Sequence, residues 1–322
     1  MSFCKWISRR AIVVGAALPG LALARNSPGK PLRIVLAGPP GGIIDVGGRA
    51  ILDALMAELR HPVILDHRPG AGGMIAAQIV SSAVPDGSTL LLTVSEIAAI
   101  QFLTAVRFDL LRDLTPVATI GEGAAAICVP SGLPVNSLPD LIAYAKGHPG
   151  AVRYLNPGNG TRQHLIPEQI NRQFGTGMLP IPYRGLPAGV ADLIEQRIEL
   201  GVVSTALALQ HIDAGTLRAV AVLGERRLSS LPAVPTIYEQ RLGAMNVRST
   251  LTLFGPARLP PAMVRRLNRV VGDVLADPTV QSRLASADII SEVTDAEELR
   301  RRFADDQSRF ASLLATLQLK RE

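Results

Sequence analysis

Apolar residues in this chain gather in two kinds of stretch. Short continuous runs such as Leu32-Arg33-Ile34-Val35-Leu36-Ala37 and Leu90-Leu91-Leu92-Thr93-Val94 have the length of buried strands. Longer stretches, such as residues 46–59, are amphipathic at helical spacing. Turns rich in glycine and proline separate the two kinds, and strand, glycine loop, helix is the first half of an α/β crossover unit. Gly38-Pro39-Pro40-Gly41-Gly42-Ile43-Ile44-Asp45 is the first such loop. The strand Val63-Ile64-Leu65-Asp66, the loop Arg68-Pro69-Gly70-Ala71-Gly72-Gly73 and a helix over 74–82 repeat the arrangement. Loops after successive parallel strands end on one edge of the sheet, where open α/β sheets hold their ligands. Glycine lets the backbone come close to a ligand, and unpaired amides at a helix start favour a negative group. Taken alone, Pro39-Pro40-Gly41-Gly42 is equally well read as a plain turn; the tandem copy shifts the balance toward a site.

The pattern continues in order. Pro85-Asp86-Gly87 introduces the third strand, and Ser95 stands at its carboxyl end, both as a ligand contact and as a helix N-cap. Residues 117–120 and 125–129 are extended and apolar, the first crossing into a second lobe. That lobe opens with the capping box Ser137-Leu138-Pro139-Asp140. It then alternates strands at 153–155, 178–182 and 200–203 with helices at 162–174, 187–195 and 206–213. Asn156-Pro157-Gly158-Asn159-Gly160-Thr161 and Tyr183-Arg184-Gly185 supply its loops. Residues 217–223 read as the return crossing, Leu231-Pro232-Ala233-Val234-Pro235-Thr236 as the connection back to the first lobe, and 250–254 as a further strand there. Helices at 261–275, from Pro278, and at 297–317 close the chain, the last as a solvated outer layer. Two crossings between two α/β lobes predict a hinge over a cleft. Residues 27–124 with 224–322 form the first lobe and 125–223 the second.

The N-terminus stands apart. Lys5, Arg9 and Arg10 precede an apolar run from Ala11 to Leu21 and the small-residue site Ala22-Leu23-Ala24, an export signal cut after Ala24. Ser8-Arg9-Arg10-Ala11-Ile12-Val13 fits a twin-arginine signal, and an ordinary secretory signal with two adjacent arginines fits as well. The run is too short to span a bilayer, which takes about 20 residues, so the mature chain is not expected to insert in the membrane. Its removal lowers the formal charge from +6 to +3, without any basic run interleaved with aromatics, which argues against nucleic acid. At 322 residues, with 48% apolar and 4% aromatic content, the chain suits two α/β lobes. Of the two cysteines only Cys128 survives cleavage, in an apolar run that suits core packing.

Catalytic signatures are missing: there is no Gly-x-Ser-x-Gly elbow, His-Glu-x-x-His pair or P-loop. No cofactor or metal is expected. Gly121-Glu122-Gly123-Ala124-Ala125-Ala126 fits a loose dinucleotide fingerprint, but an extended apolar run follows it where a helix is required. What remains is small-anion chemistry. Asp45 either orders the first loop and stabilises the helix dipole or meets a polar ligand group. Thr161 either caps its helix or faces the cleft with His164. Arg49 and Arg68 either steer anions or form structural pairs, and Arg184 is the better candidate for cleft electrostatics.

Pro40-Gly41-Gly42-x-x-Asp45-x-x-x-Arg49, Arg68-Pro69-Gly70-Ala71-Gly72-Gly73 and Pro85-Asp86-Gly87 resemble the Bug-type receptors of tripartite tricarboxylate transporters. So do Asn156-x-Gly158-Asn159-Gly160-Thr161-x-x-His164, Pro182-Tyr183-Arg184-Gly185, Ala214-Gly215-x-Leu217-Arg218 and Leu231-Pro232-x-Val234-Pro235-Thr236, in the same order. The resemblance implies a periplasmic two-lobe protein of the type II binding-protein fold, not an enzyme, with a small carboxylate or amide ligand and membrane transporter subunits as partners. A sensor input docking on a membrane kinase needs the same closing cleft. Carried across, the first-lobe ligand positions are Gly41, Gly42, Asp45, Gly72 and Gly73, and the second-lobe positions Asn159, Thr161 and His164. The family's usual pattern is broken at Gly38, Gly48 and Met74. It is broken again at Val203-Ser204, where many members carry an aspartate, so Ser204 implies a ligand without a cationic amine.

Overall fold

The computed structural model describes residues 30–103, 108–245 and 247–319; the expected export signal over 1–24 lies outside them. The first half contains β1 (Leu32–Leu36), α1 (Ile43–Leu59), β2 (Val63–His67), α2 (Met74–Ser81), β3 (Thr89–Val94), α3 (Ile97–Leu103), α4 (Leu110–Asp113) and β4 (Leu114–Gly123). The second lobe contains β5 (Ala125–Pro130), α5 (Leu138–Gly147), β6 (Arg153–Asn156), α6 (Arg162–Phe174), β7 (Leu179–Pro182), α7 (Leu186–Ile194), β8 (Gly201–Ser204), α8 (Thr205–Asp213) and β9 (Leu217–Val222). The chain ends with β10 (Thr250–Pro256), α9 (Pro261–Ala276), α10 (Pro278–Ser286), β11 (Ile289–Ser291) and α11 (Ala296–Leu317).

The first sheet runs β11-β4-β10-β3-β1-β2. β1 pairs in parallel with both β2 and β3, whereas β10 runs antiparallel between β3 and β4. Ile34, Val35, Leu36, Leu91 and Leu92 are fully buried, as expected of parallel strands covered by helices on both faces. Gly48 lets α1 lie close to the sheet, since a Cβ there would stand 3.3 Å from Leu92 Cδ2. The second lobe repeats the plan. β5 runs antiparallel between β8 and β9, β6 pairs in parallel with β7, and a parallel bridge between Tyr154 and Leu200 links the two groups of strands. In each lobe the strand that enters from the other lobe, β10 in the first and β5 in the second, runs antiparallel between its two neighbours. Two mixed sheets joined by crossover strands are the two-lobe α/β architecture expected from the sequence.

The connection over 231–236 behaves differently from a simple return. Val222 N–H donates to the Pro235 carbonyl at 3.0 Å, and Ile237 N–H to the Val222 carbonyl at 2.9 Å, so this segment pairs with β9. Leu231 and Val234 pack into the core of the second lobe, which explains why the segment stays there before the chain turns back to β10. The crossings touch one another: Gly123 N–H donates to the Ser249 carbonyl at 2.9 Å and Leu223 N–H to the Ala125 carbonyl at 2.8 Å. Gly121–Ala126 is thus strand, crossing and strand, with no helix for a dinucleotide to sit on. α11 buries Leu299, Phe303, Phe310 and Leu314, with Phe303 edge-on to Phe254 at 4.9 Å, and exposes its charged face.

Candidate functional site

A cavity of about 490 Å³ lies where the carboxyl ends of β1, β2 and β3 face the loops after β6 and β7. From the first lobe Gly42, Ile43, Ile44, Ala71, Gly72 and Gly73 line it, and from the second Pro157, Thr161, Arg162, Tyr183 and Arg184. The two lobes meet around it. A Cβ on Gly158 would stand 3.6 Å from Gly72 Cα, one on Gly160 3.1 Å from Ile100 Cα, and one on Gly185 2.9 Å from Pro39 Cγ. At Gly160 and Gly185 a side chain would crowd the opposite lobe, whereas at Gly158 it would only touch it.

The first loop is built around Asp45, which is 4% exposed. Its carboxylate accepts from Gly41 N–H at 2.9 Å, Arg49 Nε at 2.8 Å and His67 Nε2 at 2.8 Å. Burial pushes its pKa up, but the Gly41 amide, Arg49 and His67 outweigh burial and hold the carboxyl below the ordinary 3.8. Asp45 itself does not line the cavity; it fixes Gly41, whose φ of +78° suits glycine. Gly42 N–H turns toward the Pro39 carbonyl at 3.3 Å. No side chain caps α1. Its first amides, at Ile43 and Ile44, have no intrahelical partner, and both residues line the cavity.

The second loop is strained. Gly70, Ala71, Gly72 and Gly73 all have positive φ, and Ala71 at +47° does so with a side chain. Gly73 N–H donates to the Gly70 carbonyl at 2.9 Å, and no side chain caps α2. The start of α1 therefore borders the cavity, and Gly73 brings the start of α2, whose Met74 N–H donates to the Ala71 carbonyl, close beside it, an arrangement that favours an anion.

The remaining sequence-predicted residues divide. Thr161 lines the cavity, its hydroxyl donating to the Gly158 carbonyl at 2.7 Å instead of capping α6. Asn159 accepts from Asn156 Nδ2 at 3.0 Å, and Asn156 Oδ1 accepts from Gly158 N–H at 3.0 Å; both bonds shape the loop. His164 is buried, its Nδ1 accepting from Gly160 N–H at 3.2 Å. Ser95 ties β3 to β10, donating to the Arg248 carbonyl at 3.2 Å and accepting from Thr250 N–H at 3.1 Å, beside a smaller cavity next to Arg302 and Asp306. Ser204 is buried opposite Ala125 at the crossing, away from the central cavity's lining. Arg49 and Arg68 pair with Asp45 and Asp66, whereas Arg184 lines the cavity.

Sequence reasoning did not single out Thr93, Glu96, Arg162 or Ser249, which also line the cavity. Two signals were available. Glu96 is a lone acid between Val94 and Ile97, and Arg162 puts a cation at a helix start, against the dipole. Burial pushes the Glu96 carboxyl up, with Arg162 and Ser249 opposing. Burial pushes Arg162 down, with Glu96 and Glu122 opposing. Among the described residues no group of three metal-ligating side chains comes together, and no helix is long and apolar enough to cross a membrane.

The comparisons with known proteins agree with this geometry. The family model described as "Tripartite tricarboxylate transporter family receptor" matches residues 48–319. A protein of the gbd 5′ region of Cupriavidus necator is 30% identical over 274 residues, 85% of this chain and 83% of that one. BugT of Bordetella pertussis is 28% identical over 316 residues, 96% of this chain and 97% of BugT. Among solved structures, Rpa4515 of R. palustris, determined with adipate, superposes with a TM-score of 0.86 at 26% identity, covering 92% of this chain and all of that one. The two-lobe arrangement is that of type II periplasmic binding proteins, and the matched family is one of receptors, not enzymes. With a family model covering most of its length, the chain belongs to the tripartite tricarboxylate transporter receptor family.

Proposed function

We propose that this protein is a periplasmic receptor that captures a small carboxylate between its lobes and delivers it to the membrane subunits of a tripartite tricarboxylate-type secondary transporter. The observation that carries the reading is the start of α1, with no side-chain cap, and the glycine loop leading into α2, both on one cavity between lobes already in contact. A carboxylate there gains the free amides of Ile43 and Ile44 and two helix dipoles, each worth about 0.3–1 kcal/mol. The relative Rpa4515 was solved with adipate, which is consistent with this class. In this reading Gly42, Gly72, Gly73 and Thr161 touch the ligand, and Gly41, Asp45, Asn159 and His164 hold the loops that do. Val203-Ser204, from which the sequence argues against a cationic amine, stands at the crossing, so the preference rests on the helix starts and on Arg162 and Arg184.

Calorimetric titration of the purified mature protein with succinate, malate, adipate and a panel of amino acids tests the proposal. At least one dicarboxylate is expected to bind and to raise the melting temperature by mass action. An amino acid binding more tightly than every carboxylate would overturn it. Loss of uptake of the bound carboxylate in cells lacking the protein tests delivery to the transporter.

A further inference from the structure

Two buried ionisable residues on the cavity wall stand apart from the glycine loops and helix starts. Arg162, in the first turn of α6, is 2% exposed. Its Nη1 donates to the Gly123 carbonyl at 2.9 Å, and its Nε has no hydrogen-bond partner. Glu96, just past β3 on the other lobe, is also 2% exposed and accepts from Ser249 Oγ at 3.0 Å. The two influence one another through space with no hydrogen bond between them. Both line the same cavity as Gly42, Gly72 and Gly73.

A buried guanidinium with an unmatched N–H is unfavourable until an acceptor reaches it. A carboxylate is the acceptor its planar fork fits best. We propose that Arg162, assisted by Glu96, is the specificity-determining residue for the second carboxylate of an α,ω-dicarboxylate whose first carboxylate sits on the helix starts. This assignment rests on the carboxylate-receptor reading above. The wall also carries Ile43, Ile44, Ile100 and Leu186, apolar groups suited to the methylenes joining two carboxylates. Burial pushes the Glu96 carboxyl up, with Arg162 and Ser249 opposing, which lessens its repulsion of an incoming carboxylate. The Gly123 contact joins Arg162 to the crossing, so the guanidinium is held in place before ligand arrives.

The test compares succinate, glutarate and adipate with butanoate, pentanoate and hexanoate by calorimetry on the full mature protein. The unaltered protein is expected to bind at least one diacid ten times or more tighter than its matched monoacid. Arg162→Met is expected to weaken the diacid at least tenfold more than the monoacid. Should that variant fail to fold, Arg162→Lys, which keeps the charge but loses the fork, is expected to cut the discrimination at least fivefold. Equal weakening of diacid and monoacid, or undiminished discrimination in a folded variant, overturns the role of Arg162 and leaves the receptor reading intact. Binding of none of the six acids by the unaltered protein overturns the role of Arg162, and failure of malate as well overturns both.

Discussion

Asp45 holds one end of the site together without lining the cavity, accepting from Gly41, Arg49 and His67 at 2.8–2.9 Å. A hydrogen bond to a buried charged group is worth about 1.5–3 kcal/mol. With Arg49 largely exposed, Asp45→Ala is expected to lower the unfolding free energy by about 2–3 kcal/mol in urea titrations and to weaken ligand binding through the loosened loop. The pH dependence has a fixed sign. The folded-state pKa of Asp45 lies below 3.8, so its stabilisation is complete above the unfolded value and disappears as pH falls through the folded one. Asp45→Asn therefore loses less stability than the parent as pH falls below the ordinary carboxylate value of 3.8, a difference read from melts at descending pH. Cys128 is the opposite kind of residue. Burial alone pushes its thiol up to about 12, and the thiolate is the reactive form. In protein cleaved after Ala24 a thiol reagent is expected to leave Cys128 unmodified until denaturant is added. The core role of Cys128 and the loop-ordering role of Asp45 were readable from sequence, because an apolar neighbourhood and an acid in a helix's first turn are local signals. Glu96 and Arg162 were not singled out, because their meaning depends on a partner far away in the chain.

At the level of elements, most boundaries follow local chemistry. α6 spans Arg162–Phe174, bounded by Thr161 and the left-handed Gly175, and α5 is capped by Ser137, whose hydroxyl accepts from Asp140 N–H at 3.1 Å. The reciprocal half of that capping box falls one residue earlier, on Asn136 N–H. What periodicity does not carry is how an element is fastened. Arg218, on β9, donates from Nη1 to the Leu133 and Val135 carbonyls at 3.1 and 3.0 Å and from Nη2 to the Ser131 carbonyl at 3.2 Å. One guanidinium thus straps the loop between β5 and α5 to the far edge of the second sheet, which gives the Leu217-Arg218 motif a physical reason. Arg218→Met keeps the aliphatic stem and leaves three carbonyls without their donor. The expected loss is about 2–3 kcal/mol of stability, with ligand affinity nearly unchanged because the strap lies outside the cavity lining. The connection over 231–236 is a second case. Its prolines mark it as a linker, and only the apolar Leu231 and Val234, packed on the second lobe, reveal why it pairs with β9 first.

For the whole molecule, function depends on whether the lobes approach as closely as they do here. The alternation of strand, glycine loop and helix made both lobes and their crossings legible in sequence; the cross-lobe contacts were not, since a glycine in a turn looks the same whether it faces water or another backbone. Gly160 and Gly175 separate the two situations. Both have positive φ, +84° and +66°, so alanine at either strains the backbone by about 1–2 kcal/mol. A Cβ on Gly175 meets nothing within 4 Å, whereas one on Gly160 would stand 3.1 Å from Ile100 Cα, a backbone atom of the opposite lobe with little freedom to retreat. Gly175→Ala is expected to lower the melting temperature and leave ligand affinity within twofold. Gly160→Ala is expected to show a comparable fall and, in addition, about a tenfold weaker affinity, because ligand binding must then also overcome the cross-lobe clash, at about 1.4 kcal/mol per tenfold. Small-angle scattering supplies the independent readout, with a radius of gyration that contracts on adding ligand to the parent and to Gly175→Ala but less in Gly160→Ala. Equal affinities in the two variants would mean that the approach of the 156–161 loop to α3 is not part of ligand capture.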